Sequence, residues 1–387
     1  MSTNENKGKK AEVTALQAIS AEDRKDWISL AFVQAGICVC VPAFLLGALL
    51  AEAMPIWPAI ISGSLGYLIV VVGMVATGMI GCDLGLASCT CCQAGFGKSG
   101  ARFIVSTIFA VNMIGWFGIQ NGVCGEAFSN AMLAMTGWDI PVVVSNTIWG
   151  IIMLLTAVYG VHALEKLDKI SIPLLMIIMC YGIFLAFKVY GTGNLNDEGT
   201  VQSMSFMSGV ALSFNFTAVG TITGPDYTRF QKSRKDTVKS VFYGVFPMGV
   251  ITLIMGIVLT KLSGQYDISM VLIEVGLPLL GIIALVISTW TTNSTNAYSA
   301  GLNIVMALKL KDNRRREATL ISGIVGIVLC DLGILGHVEG VLSLLSYVVC
   351  PVGGVILADY WVVGKGKAKN FRPCLLYTSD AADDLIG

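Results

Sequence analysis

Ten apolar blocks follow one another along this chain, at roughly 27–50, 56–80, 104–134, 141–162, 171–190, 204–224, 239–262, 278–308, 319–337 and 340–363. A helix needs about 20 apolar residues to cross a bilayer. The pattern therefore predicts an all-α polytopic membrane protein with ten transmembrane helices. Only 13% of the residues are charged, too few to clothe a soluble domain built from such blocks.

Lys and Arg gather in alternate connections. They occur in the start of the chain (Lys7, Lys9, Lys10, Arg24, Lys25), at Lys98 and Arg102, at Lys166 and Lys169, from Arg229 to Lys239, from Lys309 to Arg316 and from Lys365 to Arg372. Of the 25 basic residues, Lys188 and Lys261 alone fall outside these segments. Cytoplasmic loops carry such an excess, so the alternation supports the span count and predicts an inner-membrane protein with a cytoplasmic N-terminal tail over 1–26. It also accounts for the basic runs without nucleic acid as a partner. The first apolar run is too long for a cleaved signal peptide.

The spans divide into a first repeat over 27–190 and a second over 204–363, joined by an outer loop over 191–203. Five spans per repeat is an odd number, so the second repeat must run through the membrane in the opposite sense to the first, as in many secondary transporters. Each repeat opens on an interrupted helix. The first carries Gly36 to Pro42, and the second carries Gly220, Gly224 and Pro225. In lipid, unwound backbone survives only where it is buried or lines a cavity. Matched interruptions thus place a substrate and ion site near the midplane.

After an inner tail over 364–373, the segment Cys374 to Asp383 looks like a translated sequencing adaptor, and 374–387 is set aside as an artefact. The expectation is an authentic chain ending near Pro373 here and cut short of further helices.

Three groups of residues carry candidate chemistry. The eighth span holds Ser288, Trp290, Thr291, Thr292, Asn293 and Asn296. Their hydroxyls can bond neighbouring helix backbone, or join carbonyls freed at the Gly36 break as hard oxygen ligands for a small cation. Trp116 and Gln120 lie four residues apart on one face of the third span. They offer a stacking surface and an amide, which together suit a flat hydrogen-bonding ring. Asn215 and Phe216 precede the second break, and Phe216 would close a sandwich on Trp116. Cys82, Cys89, Cys91 and Cys92 cluster, but their spacing fits no common zinc pattern.

Four blocks in fixed order extend these readings: IGWFG (Ile114 to Gly118), GPDYTRF (Gly224 to Phe230), WTTN with YSAGL (Trp290 to Asn293, Tyr298 to Leu302) and PVGGVILADYW (Pro351 to Trp361). Over about residues 25–363 the chain resembles the nucleobase cation symporters of the cytosine permease and hydantoin permease group. The resemblance implies a LeuT-type fold of two inverted five-helix repeats, usually with two further helices. It implies sodium held by the carbonyls of Gly36, Val39 and Ser288 and the hydroxyls of Thr291 and Thr292. The base would stack between Trp116 and Phe216. Met113 stands where cytosine carriers have a base-bonding Gln, and Asn215 replaces a Ser; Gln120 lies where hydantoin carriers place a substrate-binding Gln. Recognition of the ring edge is therefore expected from Gln120, Asn215 and Asn296.

The expected function is sodium-coupled uptake of a nucleobase or related planar heterocycle by alternating access, without covalent chemistry. Two rivals stand beside it. One is a proton-coupled carrier of the same fold with Glu126 or Asp331 as relay; the other is a receptor or channel that binds the ring without pumping it.

Overall fold

Every described helix is long enough, or placed, to serve a bundle, and each of the ten expected spans coincides with a helix or an interrupted helix. The computed structural model describes residues 16–192, 195, 204–264, 268–274 and 276–372. Most of the expected outer loop, the first 15 residues and the segment 374–387 lie outside them. In chain order the helices are α1 (Trp27–Cys38), α2 (Val41–Ala53), α3 (Ile56–Leu84), α4 (Ser88–Cys91), α5 (Gln93–Gly100), α6 (Ser106–Thr136), α7 (Val142–Val158) and α8 (Val161–Tyr190). There follow α9 (Phe206–Thr217), α10 (Gly220–Thr228), α11 (Arg234–Ser263), α12 (Ile268–Glu274), α13 (Pro278–Ala307), α14 (Arg315–Asp331) and α15 (Val338–Leu357).

Among the described residues, five helical stretches are long and apolar enough to cross a membrane: Ile56–Leu84, Gln93–Thr136, Val161–Tyr190, Phe206–Thr228 and Arg234–Ser263. The bent pair α1 and α2 makes a sixth. Ile69 of α3, Ile148 of α7, Ile177 and Phe184 of α8 and Tyr347 of α15 are exposed, as side chains facing lipid would be. α13 fails the apolar criterion for a physical reason. Thr291 to Met306 are buried without interruption, so this helix meets protein on every side and can carry polar groups that bond internally. Asn293 Nδ2 donates to Phe117 O at 3.2 Å, and Ser294 Oγ donates to Met153 O at 3.1 Å. α13 and α6 form the central pair of the bundle.

The two interruptions differ. Asp26 caps α1, its carboxylate accepting from Ser29 N at 2.8 Å, and the helix ends at Val39, whose ψ of 76° leaves the helical region. Cys40 is extended, and Pro42 occupies the first turn of α2, where its missing N–H costs nothing. The two segments meet at 52°. At the second interruption α9 ends just before Gly220, as expected, but Ala218 and Val219 keep helical dihedrals and Gly224 and Pro225 lie inside α10. Pro225 sits inside α10. The carbonyl it cannot serve, that of Thr221, accepts instead from Thr77 Oγ1 of α3 at 2.6 Å. A neighbouring hydroxyl thus keeps the helix continuous across a proline.

A second correction concerns α8. The fifth span was expected from residue 171, yet the helix begins at Val161 and takes His162, Glu165, Lys166, Asp168 and Lys169 into its first turns. Gly95 to Gly100 are helical apart from Gly97.

α1 packs on α11 and α8, and α9 packs on α3 and α15. Small residues permit the closest approaches. A β-carbon on Gly47 of α2 would fall 2.5 Å from Leu253 O of α11, and one on Gly256 of α11 would fall 2.5 Å from Phe44 O of α2. Gly47→Ala is therefore expected to destabilise the bundle by about 1–3 kcal/mol, read as a lowered melting temperature in detergent.

At the basic end, polar contacts tie the start of the chain across the bundle. Lys25 pairs with Glu165, which also receives Lys169 Nζ at 2.8 Å. Arg24 donates to Cys82 O at 2.8 Å and Gln231 O at 2.9 Å. Asp83 accepts from Arg234 Nε at 3.0 Å and from the Tyr360 hydroxyl.

Candidate functional site

The end of α1 supplies carbonyls, and α13 crosses it with hydroxyls. Thr292 Oγ1 lies 2.7 Å and Thr291 Oγ1 3.2 Å from Gly36 O. The same hydroxyls reach Ser288 O at 3.2 Å and 3.1 Å. Four oxygens converge, two of them carbonyls and two hydroxyls that can rotate their hydrogens away and offer lone pairs. Hard neutral oxygens in this number suit a small cation. Gly36, Ser288, Thr291 and Thr292 are thus brought together. Val39, the remaining expected ligand, is buried three residues beyond Gly36, and its non-helical ψ turns its carbonyl out of the α1 ladder.

Glycine at position 36 admits a neighbour the sequence reading did not connect with it. A β-carbon there would lie 2.6 Å from Oδ1 of Asp168, on α8.

Beside this cluster lies a cavity of about 100 Å³. The α1–α2 break contributes Ile37, Cys38, Cys40 and Pro42; α3 contributes Tyr67, Val70 and Met74. From α6 come Met113, Trp116 and Gln120, from α9 and α10 Phe216, Thr217 and Gly220, and from α13 Thr292 and Asn296. The lining is chiefly apolar with a few placed amides. Gln120 is buried and its Oε1 has no hydrogen-bond partner among the described residues. Such an acceptor costs about 1–3 kcal/mol unless a ligand or water meets it. Gln34 Oε1 is in the same condition, while its Nε2 donates to Ser240 Oγ at 3.3 Å. Asn296 Nδ2 reaches Asn293 Oδ1 at 3.5 Å. The Cys40 thiol contacts both Gln120 and Thr292, joining the two regions.

Trp116 and Phe216 meet directly, centroids 5.6 Å apart and planes at 71°, an edge-to-face contact. Asn215 is not among the residues lining this cavity, to which its helix α9 contributes Phe216 and Thr217. One residue along a helix turns the side chain by about 100°, which separates Asn215 from Phe216. Gln34 and Cys40 were missed. A lone amide inside the apolar α1 segment was the available signal for Gln34.

The acids considered as proton relays do not line this chamber. Glu126 is exposed on α6, and Asp331 is exposed at the end of α14, accepting from Asn146 Nδ2 at 3.0 Å.

Comparison with known proteins adds to the geometry. Residues 19–376 match the family described as permease for cytosine/purines, uracil, thiamine, allantoin. The chain is 30% identical over 341 residues to the cytosine permease of Escherichia coli (strain K12), covering 87% of this chain and 78% of that one. Its fold matches Mhp1, a nucleobase-cation-symport-1 family transporter in a closed conformation with bromovinylhydantoin bound, at a TM-score of 0.81 with 18% identity, covering 96% of this chain and 85% of that one. A Na+-coupled sialic acid symporter in a substrate-bound outward-open state matches at a TM-score of 0.64 with 16% identity, covering 91% and 82% of the two chains.

Proposed function

This chain belongs to the family of permeases for cytosine/purines, uracil, thiamine and allantoin, and on that premise we propose sodium-coupled uptake of a nucleobase or similar planar heterocycle. It is a multi-pass membrane transporter with a LeuT-type fold, not an enzyme. The proposal adds an inner-membrane location, a cytoplasmic N-terminus, sodium as the coupling ion and a base-like ring as cargo.

The observation that carries this reading is the double position of Thr292. Its hydroxyl belongs to the oxygen cluster at Gly36, and its side chain also lines the cavity that holds Trp116 and Gln120. A cation drawing Gly36, Ser288, Thr291 and Thr292 together would fix the end of α1, and with it Cys40 and Pro42 in the cavity wall. Ion and ring then favour each other's binding reciprocally. Trp116 and Phe216 supply apolar faces, and the unpartnered oxygens of Gln120 and Gln34 accept N–H groups from the ring edge. Ring selectivity arises from those acceptors, because an analogue lacking the matching N–H leaves them buried and unpaired. Sodium coupling is further supported by the neighbouring Na+-coupled symporter of the same fold.

The test is intrinsic tryptophan quenching of the purified chain by cytosine, hypoxanthine and hydantoin, each with and without sodium. Sodium-strengthened binding of one ring is the expected result. Binding that ignores sodium, paired with uptake that follows the proton gradient, would move the coupling to protons. Binding without accumulation in vesicles would make the protein a receptor or channel.

A further inference from the structure

Asp168 is fully buried on α8, and neither of its carboxylate oxygens has a hydrogen-bond partner among the described residues. A buried carboxylate in that condition is among the costliest groups a fold can hold. Its position gives it a use. Oδ1 lies beside Gly36, close enough that a methyl group there would stand 2.6 Å away. The carbonyl of that same glycine is the one on which Thr291 and Thr292 converge.

We propose that Asp168 is the counter-charge of the cation site, the anionic group that draws sodium to the Gly36, Ser288, Thr291 and Thr292 oxygens. This rests on the sodium reading above and names a residue that the reading does not use. The other oxygens of the cluster are neutral dipoles. α1, α7 and α13 carry no charged residue at all. On α8 the preceding acid, Glu165, is already paired with Lys25 and Lys169. Lys188 lies at the far end of α8, Glu274 is on α12, and the charges of α11 are confined to Arg234, Lys235, Asp236 and Lys239 at one end and Lys261 at the other. Asp26 is held at the α1 cap by Ser29 N. A monovalent cation beside Asp168 therefore meets one uncompensated negative charge and four oxygen dipoles, in a water-poor interior where the attraction is strong. Residue 36 has to be glycine for the carboxylate to approach so closely.

The test measures sodium itself, by direct binding of radioactive sodium to the purified full chain and by the rise in melting temperature that sodium confers. D168N should lower sodium affinity about 10- to 100-fold, the usual loss when a charged neighbour of a metal site is neutralised. In sodium-free buffer D168N should melt no lower than the unmodified chain, because it removes an unpaired charge, and sodium should no longer raise its melting temperature. D168E, which keeps the charge, should retain sodium-dependent stabilisation. D168S serves as the neutral variant if D168N does not fold. Sodium affinity in the neutral variant equal to that of the unmodified chain would overturn this proposal and leave the sodium reading standing. An unmodified chain that binds a ring but no sodium would overturn both.

Discussion

Trp116→Ala is expected to weaken binding of the transported ring about 10- to 100-fold, with little change in the folded bundle. Stacking of a base on an aromatic side chain is worth about 1–3 kcal/mol, and each 1.4 kcal/mol is about tenfold in affinity. Trp116 is 9% exposed, lines the cavity and meets Phe216 edge-to-face. Its other contacts, with Met113, Ile119 and Ala300, hold the indole on α6. Removing it enlarges an existing chamber instead of opening a new void in a packed core, so the stability cost falls below the usual one for a buried tryptophan. Trp116→Phe should retain part of the affinity. Calorimetric titration separates the two effects, since it reads ring binding without depending on tryptophan fluorescence. Full affinity in Trp116→Ala would remove this residue from the site.

The direct Trp116–Phe216 contact sharpens that expectation. A ring inserted between them needs its own thickness on both faces, so Phe216 has to turn or α9 has to shift for the sandwich to form. Ala218 and Val219, at the junction of α9 and α10, are the hinge available next to Phe216.

Hydropathy and the charge alternation made the helices legible, because lipid imposes long apolar runs and membrane insertion sorts Lys and Arg. Side-chain spacing made Trp116 and Gln120 legible as one face. What escaped had a common origin: helices whose polar residues are paid for by neighbours far along the chain. α8 begins ten residues earlier than its apolar run because Lys25 neutralises Glu165 from the other end of the repeat. Read as a loop acid, Asp168 gave no sign of being buried. Pro225 looked like a break because nothing local shows that Thr77 will take the orphaned Thr221 carbonyl. The oxygen cluster is the converse case. Two adjacent threonines and a broken helix announce their chemistry locally, and the bundle brought them together.

Thr292→Val is expected to uncouple the ion from the ring while leaving the chamber's shape almost unchanged. The substitution replaces a hydroxyl by a methyl group of the same outline and so deletes the 2.7 Å contact with Gly36 O. Coupling between two ligands amounts to about 1–3 kcal/mol, or roughly 5- to 150-fold in affinity. In the unmodified chain, sodium should tighten ring binding within that range; in Thr292→Val the ratio of the two dissociation constants should fall to about one. Reciprocity makes the result checkable twice, because a ring that no longer feels sodium cannot strengthen sodium binding either. Thr291→Val should do less. Its contact with Gly36 O is longer, 3.2 Å, and its side chain is not part of the cavity wall, so it can weaken the ion site without breaking the link. Equal loss of coupling in both variants would mean that the link runs through the whole α1 terminus. Coupling that survives Thr292→Val intact would place the cation somewhere other than Gly36.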